Sequence, residues 1–213
     1  MAQRPVYVPG KNGCFATTFT PEFTWNGGFA VSQKQKNIDA LHAAFNRRFP
    51  DKKVLEISSK SRQELGIKLS AFNLKKYIPS LGKTIPLECA FQGGKIFSDG
   101  GPYTDLYEAT PRDAKRDPRL KSGGRLLSFY FEGKEMPLFP KTAFYDWLYI
   151  NALMENPELA EQVLEYDAFT DIEFNPEKSI NCQAKATALF VAISDQGLLE
   201  QCKDFETFAK LVR

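Results

Sequence analysis

β-Branched and aromatic residues at Val6-Tyr7-Val8 and from Cys14 to Thr18 predict strands, as does the alternation of Val54-Leu55-Glu56-Ile57. Asn26-Gly27-Gly28 reads as a turn. Ile38, Leu41 and Phe45 then recur three and four residues apart, which predicts a helix from Ser32 to Arg48. Ser61-Arg62-Gln63-Glu64 has capping-box spacing, with Gly66 placed to end a short helix. A helix opening at Pro86 is expected to carry Leu87 to Phe97 and to stop at Asp99-Gly100-Gly101-Pro102. Thr110-Pro111 opens another short helix, and Leu126 to Phe131 is a strand with Glu132-Gly133-Lys134 as its turn. Three further helices are expected: Lys141 to Glu155, one starting at Asn156-Pro157-Glu158 and ending near Tyr166, and Ile180 to Gln196 with Gly197 just past its end. Asp204 is placed to cap a last helix bearing Phe205, Phe208 and Leu211. Ala168 to Ser179 shows no strong period and reads as a loop able to line a cleft. Helices and short strands mix without regular alternation, so the pattern favours an α+β fold, mostly helical, over a doubly wound sheet.

A chain of 213 residues fits one domain, with or without an N-terminal elaboration. Apolar content of 43% and aromatic content of 13% suffice for a real core, so disorder is excluded as the dominant state. No apolar run is long enough to span a bilayer, and Met1-Ala2-Gln3-Arg4-Pro5 lacks a signal-peptide pattern, so a cytoplasmic protein without a membrane partner is expected. Cys14, Cys89, Cys182 and Cys202 lack zinc-pair spacing and are expected as free thiols. A net charge of +2 leaves no basic tail, so a nucleic-acid substrate would be gripped locally. His42 is the one histidine, which excludes a multi-histidine metal site. A Ser-His-Asp triad would have to use it, yet it reads as a surface or half-buried helix residue. Proton chemistry then falls to Asp, Glu, Lys or Tyr. Neither a GxGxxG nor a Walker A pattern is present, and no metal or cofactor is expected.

The segment with most chemistry is Leu87-Glu88-Cys89-Ala90-Phe91-Gln92-Gly93-Gly94-Lys95-Ile96-Phe97. At about 100° per residue, a continuous helix brings Glu88, Gln92 and Lys95 within roughly 60° of one another, with Leu87, Ala90, Gly94 and Phe97 on a neighbouring face. Spacing alone also fits a solvated stripe, with Lys95 in a surface ion pair worth about 0–1 kcal/mol. Gly93-Gly94 costs on the order of 2 kcal/mol of helix propensity against Ala-Ala. Such a pair marks close approach, either of a ligand or of a neighbouring helix. Phe91 leans toward the polar stripe, and Gly100-Gly101-Pro102 offers backbone that can approach a phosphate, although most such runs are only turns.

Ser70-Ala71-Phe72-Asn73 followed by Glu88-x-x-Phe91-Gln92-x-x-Lys95 resembles the signature of the NADAR family, whose better-known branch is YbiA-like. Tyr166 to Asp171 and Asn181-Cys182-Gln183-Ala184 resemble the family's closing segment. Phe91 to Lys95, Gly100 to Asp105 and Lys141 to Trp147 are more similar to one branch, the NADAR antitoxins found beside DarT-type DNA ADP-ribosyltransferase toxins. The resemblance implies one NADAR-type domain, with residues 1–67 as an N-terminal elaboration and 68–213 as the catalytic core. It also implies a glycosidase that removes ADP-ribose from guanine in DNA, single-stranded, to reverse a partner toxin's modification. Glu88 and Lys95 would be the reactive pair and Gln92 would help place the ribose. Phe91, Tyr103 and Phe174 would frame the rings. Ser70, Phe72, Asn73 and Gly101 belong to the implied substrate-binding set, and Asp146, Asp171 and Asn181 are candidates for ribose or base contacts. Where YbiA-like members carry Trp-Gly before the closing Asn, the nearest match here is Glu173-Phe174, on the side of the site that would face the base. Action on a free nucleotide or metabolite, and stoichiometric binding of ADP-ribose or the toxin, stand as alternatives. Lys95 has two possible roles: donor to the departing base, or nucleophile forming an imine with the opened ribose while Glu88 works as acid–base.

Two other segments have competing readings. Phe144, Tyr145, Trp147 and Tyr149 fit a core helix, with base stacking as the rival reading. Arg112, Lys115, Arg116, Arg119, Lys121 and Arg125 form the densest basic stretch, diluted by Asp113 and Asp117. It reads as solvated surface, with contact to DNA phosphates as the rival role.

Overall fold

The computed structural model describes residues 1–11 and 13–213. Four short strands, β1 (Ala2–Gln3), β2 (Val6–Pro9), β3 (Ala16–Phe19) and β4 (Glu22–Phe23), precede helix α1 (Val31–Asn46), strand β5 (Val54–Glu56) and helix α2 (Glu64–Lys68). Next come β6 (Lys75–Ile78), β7 (Lys83–Pro86), α3 (Leu87–Gly93), β8 (Lys95–Phe97), α4 (Pro111–Arg116) and α5 (Arg119–Ser122). The chain closes with β9 (Leu126–Phe131), β10 (Lys134–Pro137), α6 (Ala143–Met154), α7 (Pro157–Val163), β11 (Ala168–Thr170), α8 (Gln183–Asp195) and α9 (Phe205–Leu211). The class is α+β, as the mixed pattern predicts. Two compact units emerge: Met1–Ser70 with Pro157–Glu200, and Ala71–Asn156 with Gln201–Arg213.

The first unit is built on a four-stranded sheet of order β3-β2-β11-β5. β2 runs antiparallel to β3 and β11, while β5 runs parallel to β11 with Leu55 opposite Phe169. Val6, Ile38, Leu41, Phe45, Val54, Ala168 and Ile172 form its core. Strand β11 corrects the expectation of a loop from Ala168 to Ser179. Its three residues are all buried, so no alternation of apolar and polar positions betrays it.

Four local expectations also change here. Ser61 does not cap α2; its hydroxyl accepts from the Gln63 N–H at 3.2 Å. Gly66 lies inside α2, because a Cβ there would stand 1.9 Å from the Glu56 carbonyl oxygen. Asn26-Gly27-Gly28 is an irregular segment tied to α1, with the Asn26 N–H donating to the buried Asn37 Oδ1 at 2.6 Å. Helix α8 starts at Gln183, three residues later than its apolar pattern suggests, since Cys182 is extended (φ −137°, ψ 120°).

The second unit holds the antiparallel sheet β10-β9-β8 and the hairpin β6–β7, which carries no sequence expectation above. Glu132 and Gly133, at φ 49° and 81°, make the tight β9–β10 turn. Most of α6 is buried, so the core reading of its aromatics holds: Trp147 packs edge-on against Phe131 and Phe205, with ring centres 5.7 and 5.8 Å away. Asp204 caps α9 by accepting from the Thr207 N–H at 2.9 Å. Cys89, Cys182 and Cys202 are buried free thiols and Cys14 is an exposed one. Among the described residues, no helix is long and apolar enough to cross a membrane.

Candidate active site

Helix α3 presents its first N–H groups to a distant part of the chain. The Leu87 N–H donates to the Leu74 carbonyl and the Glu88 N–H to the Ala71 carbonyl, both at 2.9 Å. These bonds satisfy donors that a helix start leaves orphaned. They also fasten the segment bearing Phe72 and Asn73 to the turn that bears Glu88. The two halves of the sequence signature, 15 residues apart from Asn73 to Glu88, are joined by main-chain geometry.

The expected helix from Leu87 to Phe97 ends early, at Gly93. A Cβ on Gly93 would lie 2.5 Å from the Tyr107 ring, and one on Gly94 would lie 2.6 Å from the Tyr130 carbonyl oxygen. The Gly94 carbonyl accepts from the Tyr130 N–H at 2.6 Å, which turns the chain into β8. These glycines serve close packing, Gly93 against the short 3-10 helix at Thr104–Glu108 and Gly94 against β9 and Phe144 of α6. Lys95 is therefore the first residue of β8, opposite Phe129, and does not continue the helical stripe. Of that stripe only Glu88 and Gln92 remain, with the Gln92 amide donating to Glu88 Oε1 at 2.9 Å.

Glu88 is 5% exposed. A carboxylate so buried is costly unless cations and donors surround it. Gln92 supplies the donor. Lys115, on α4, brings its ammonium to 3.8 Å from Glu88 Oε1 and 5.2 Å above the Phe72 ring. Lys95 lies half-buried with its ammonium 4.8 Å from the Phe91 ring centre. Burial lowers the Lys95 pKa to about 8; the charge of Glu88 opposes that shift and the charge of Lys115 adds to it. The site thus holds a buried carboxylate and an amine that loses its proton within the physiological range of alkalinity.

A model of the DarT1-associated NADAR antitoxin family matches residues 2–213. The chain belongs to that family. No curated protein matches it.

In this NADAR chain the second unit carries most of the resemblance-derived residues. Phe91 is buried against Phe129, Phe144 and Tyr145. Tyr103, half-buried, stacks on Phe97 and lies under the Arg119 guanidinium, 4.6 Å away. Gly101 adopts φ +98°, and a Cβ there would meet the Lys95 carbonyl oxygen at 2.3 Å, so its backbone presses on β8. Asp146 is buried on α6 and accepts from the Thr142 hydroxyl at 2.7 Å. Asn73 is exposed.

The first unit carries Ser70, Asp171, Phe174 and Asn181. The Ser70 hydroxyl is turned to the Ile67 carbonyl at 2.7 Å. Asp171 Oδ1 accepts from the N–H groups of Glu173 and Phe174, which folds the loop after β11 into a tight corner. Asn181 is half-buried, and its carbonyl accepts from the Ser179 hydroxyl at 3.3 Å.

Two features escape the sequence reading. Lys115 sits in the basic stretch that reads as solvated surface and is 59% exposed, in keeping with that reading, yet its ammonium stands 3.8 Å from Glu88 Oε1, which nothing in its local spacing marks. Glu56 is 2% exposed and accepts from the Thr170 hydroxyl at 2.6 Å and the Ile172 N–H at 2.8 Å. An acid inside the apolar run Val54-Leu55-Glu56-Ile57 was the available signal. His42 Nε2 joins this network at 2.8 Å from Thr170 Oγ1.

A cavity of about 510 Å³ lies elsewhere in the second unit, walled by Phe131, Met136, Phe139, Trp147 and Phe205. It contains none of the candidate residues, and the acids and amines on its rim, among them Glu132, Asp204, Lys134 and Lys203, are exposed or half-buried. No group of three or more His, Cys, Asp or Glu that could hold a metal ion occurs among the described residues.

Proposed function

We propose that this chain is an ADP-ribosyl glycohydrolase that cleaves the N-glycosidic bond between ADP-ribose and guanine in single-stranded DNA, and so acts as an antitoxin to a DarT-type transferase. The observation that carries the reading is a buried carboxylate, Glu88, on α3, and an amine, Lys95, at the start of β8, within reach of that carboxylate's charge and with a pKa lowered to about 8. Membership in a family named for its association with DarT1 supports the toxin as partner.

Cleavage builds positive charge on the ribose, and the Glu88 carboxylate stabilises it. A lowered pKa makes the neutral Lys95 amine available as a nucleophile. It attacks the anomeric carbon; the bond to guanine breaks, and its electron pair leaves with the base nitrogen, which takes a proton. The amine loses a proton to Glu88, the ribose ring opens to an imine, and water releases ADP-ribose and restores Lys95. In the competing route Lys95 stays an ammonium and protonates the base directly, while Glu88 aligns water.

Reduction with borohydride during turnover separates the two. A stable adduct between the chain and ADP-ribose, absent in Lys95→Ala, is the expected result; turnover without any adduct assigns Lys95 to the donor role. Turnover itself is tested with catalytic amounts of protein on ADP-ribosyl-guanine DNA beside free nucleotides. Release from DNA supports the antitoxin reading. Release from nucleotides alone moves the substrate class, and binding without release contradicts the enzyme reading.

A further inference from the structure

We propose that the outward face of α4, bearing Arg112 and Arg116, is the edge of this site that grips phosphates of the DNA strand carrying the modified guanine. This rests on the single-stranded DNA reading above and adds to it where the strand is held.

The observation is an imbalance of committed charge. Every acid between residues 100 and 131 has a partner. Asp105 and Asp117 take Arg119, at 2.6 and 2.9 Å. Glu108 pairs with Lys83, and Asp113 is turned back onto the Thr110 hydroxyl at 2.7 Å. The bases are not used up in return. Arg119 is taken, and Lys115 stands 3.8 Å from Glu88. Among the described residues, Arg112, Arg116, Lys121 and Arg125 make no ion pair and no side-chain hydrogen bond. A chain with a net charge of only +2 must grip a nucleic acid locally, and this stretch holds a local surplus.

Helix geometry places two of these four bases beside the site. At about 100° per residue, α4 carries Arg112, Lys115 and Arg116 within an arc of about 100°. Ala114, on the opposite side, is fully buried. Arg112 and Arg116 are exposed and one turn apart, with about 5–6 Å between their Cβ atoms. Lys115 shares their arc and shows where it leads: its ammonium is 3.8 Å from Glu88 Oε1 and 5.2 Å from the Phe72 ring. With its side chain 59% exposed, that one residue reaches from open surface to the buried carboxylate. The guanidinium fork matches a phosphate in two hydrogen bonds and keeps its charge at every working pH. A strand whose modified base enters beside Glu88 therefore finds two unspent arginines for its backbone.

The test pairs binding with turnover in Arg112→Gln/Arg116→Gln, with Arg112→Lys/Arg116→Lys as the charge-keeping variant. Lys134→Gln/Lys210→Gln, from the rim of the cavity at Phe131 and Trp147, removes equal charge elsewhere. Affinity for an unmodified single-stranded oligonucleotide is measured against salt. The slope of log affinity on log salt is expected to shrink by roughly 0.7 for each arginine lost, to recover in the lysine variant and to stay parental in the rim variant. KM for ADP-ribosyl-guanine DNA is expected to rise, while release from ADP-ribosyl-guanosine, which has no strand, stays parental. A parental slope in the glutamine variant, or an equal loss in the rim variant, overturns the proposal. An equal loss on the two substrates also overturns it, because the arginines then serve the ADP-ribose pyrophosphate. Loss of toxin binding with DNA binding intact overturns it in favour of a protein partner. A smaller slope in a chain whose parent releases ADP-ribose from neither substrate supports the binding face and counts against the glycosidase reading instead.

Discussion

Lys95 carries its own pH signature. An amine with pKa about 8 in the folded chain is protonated at neutrality and neutral above it. If the neutral amine is the nucleophile, the rate of ADP-ribose release rises with pH and levels off above about 8; if the ammonium is the donor, the rate falls through the same region. A pH–rate profile decides between the slopes. His42 supplies a stability signature. Burial lowers its pKa from 6.5 to about 4, against the pull of Asp39, so the folded state keeps it neutral. Its contribution is fully present above 6.5 and is lost as pH falls toward 4, because the unfolded chain takes the proton first. Between pH 7 and pH 5 the parent is expected to lose about 2 kcal/mol more unfolding free energy than His42→Asn. Urea denaturation at the two pH values checks this, and taking the difference removes most of the opposite trend from Glu56, whose pKa burial raises. At this scale residue type and motif in the sequence marked Glu88 and Lys95 as candidates. They did not mark Lys115, which meets Glu88 only because two helices pack together, a fact that no spacing between positions 88 and 115 encodes.

Helix α3 is short for a packing reason. Its expected length was an extrapolation of helical period through Gly93-Gly94, where low propensity and two tight contacts combine to end it. Gly94→Ala pushes a methyl group into the Tyr130 carbonyl and is expected to destabilise the chain by about 1–3 kcal/mol. It is also expected to reduce turnover beyond that loss, because the displaced strand carries Lys95; thermal melts beside specific activity check both. Asp204→Ala removes the α9 cap and is expected to cost about 1 kcal/mol with turnover unchanged. Long amphipathic elements such as α1 and capped ones such as α9 were legible because their signals are local. Strand β11 was not, since both its neighbours come from the first 56 residues and its burial on all sides erases alternation.

Across the whole molecule the class, α+β, followed from the irregular mixture of helical and strand patterns. The family followed from a signature spread over residues 70–95 and 166–184. The division into two units was not legible, because the return of Pro157–Glu200 to the N-terminal sheet depends on pairing between β11, β2 and β5 rather than on any change of composition. The basic stretch is only partly committed to internal pairs, through Lys115 and Arg119. If Arg112, Arg116 and Lys121 meet DNA phosphates, their joint replacement by Gln lowers the salt dependence of DNA binding, whereas Arg119→Gln alone acts on stability. The most direct measurement is release of ADP-ribose from ADP-ribosyl-guanine single-stranded DNA by substoichiometric protein, with Glu88→Ala and Lys95→Ala beside the parent. The account predicts many turnovers by the parent and a loss of about a hundredfold or more in each variant, with folding intact. Parental rates in both variants would contradict it.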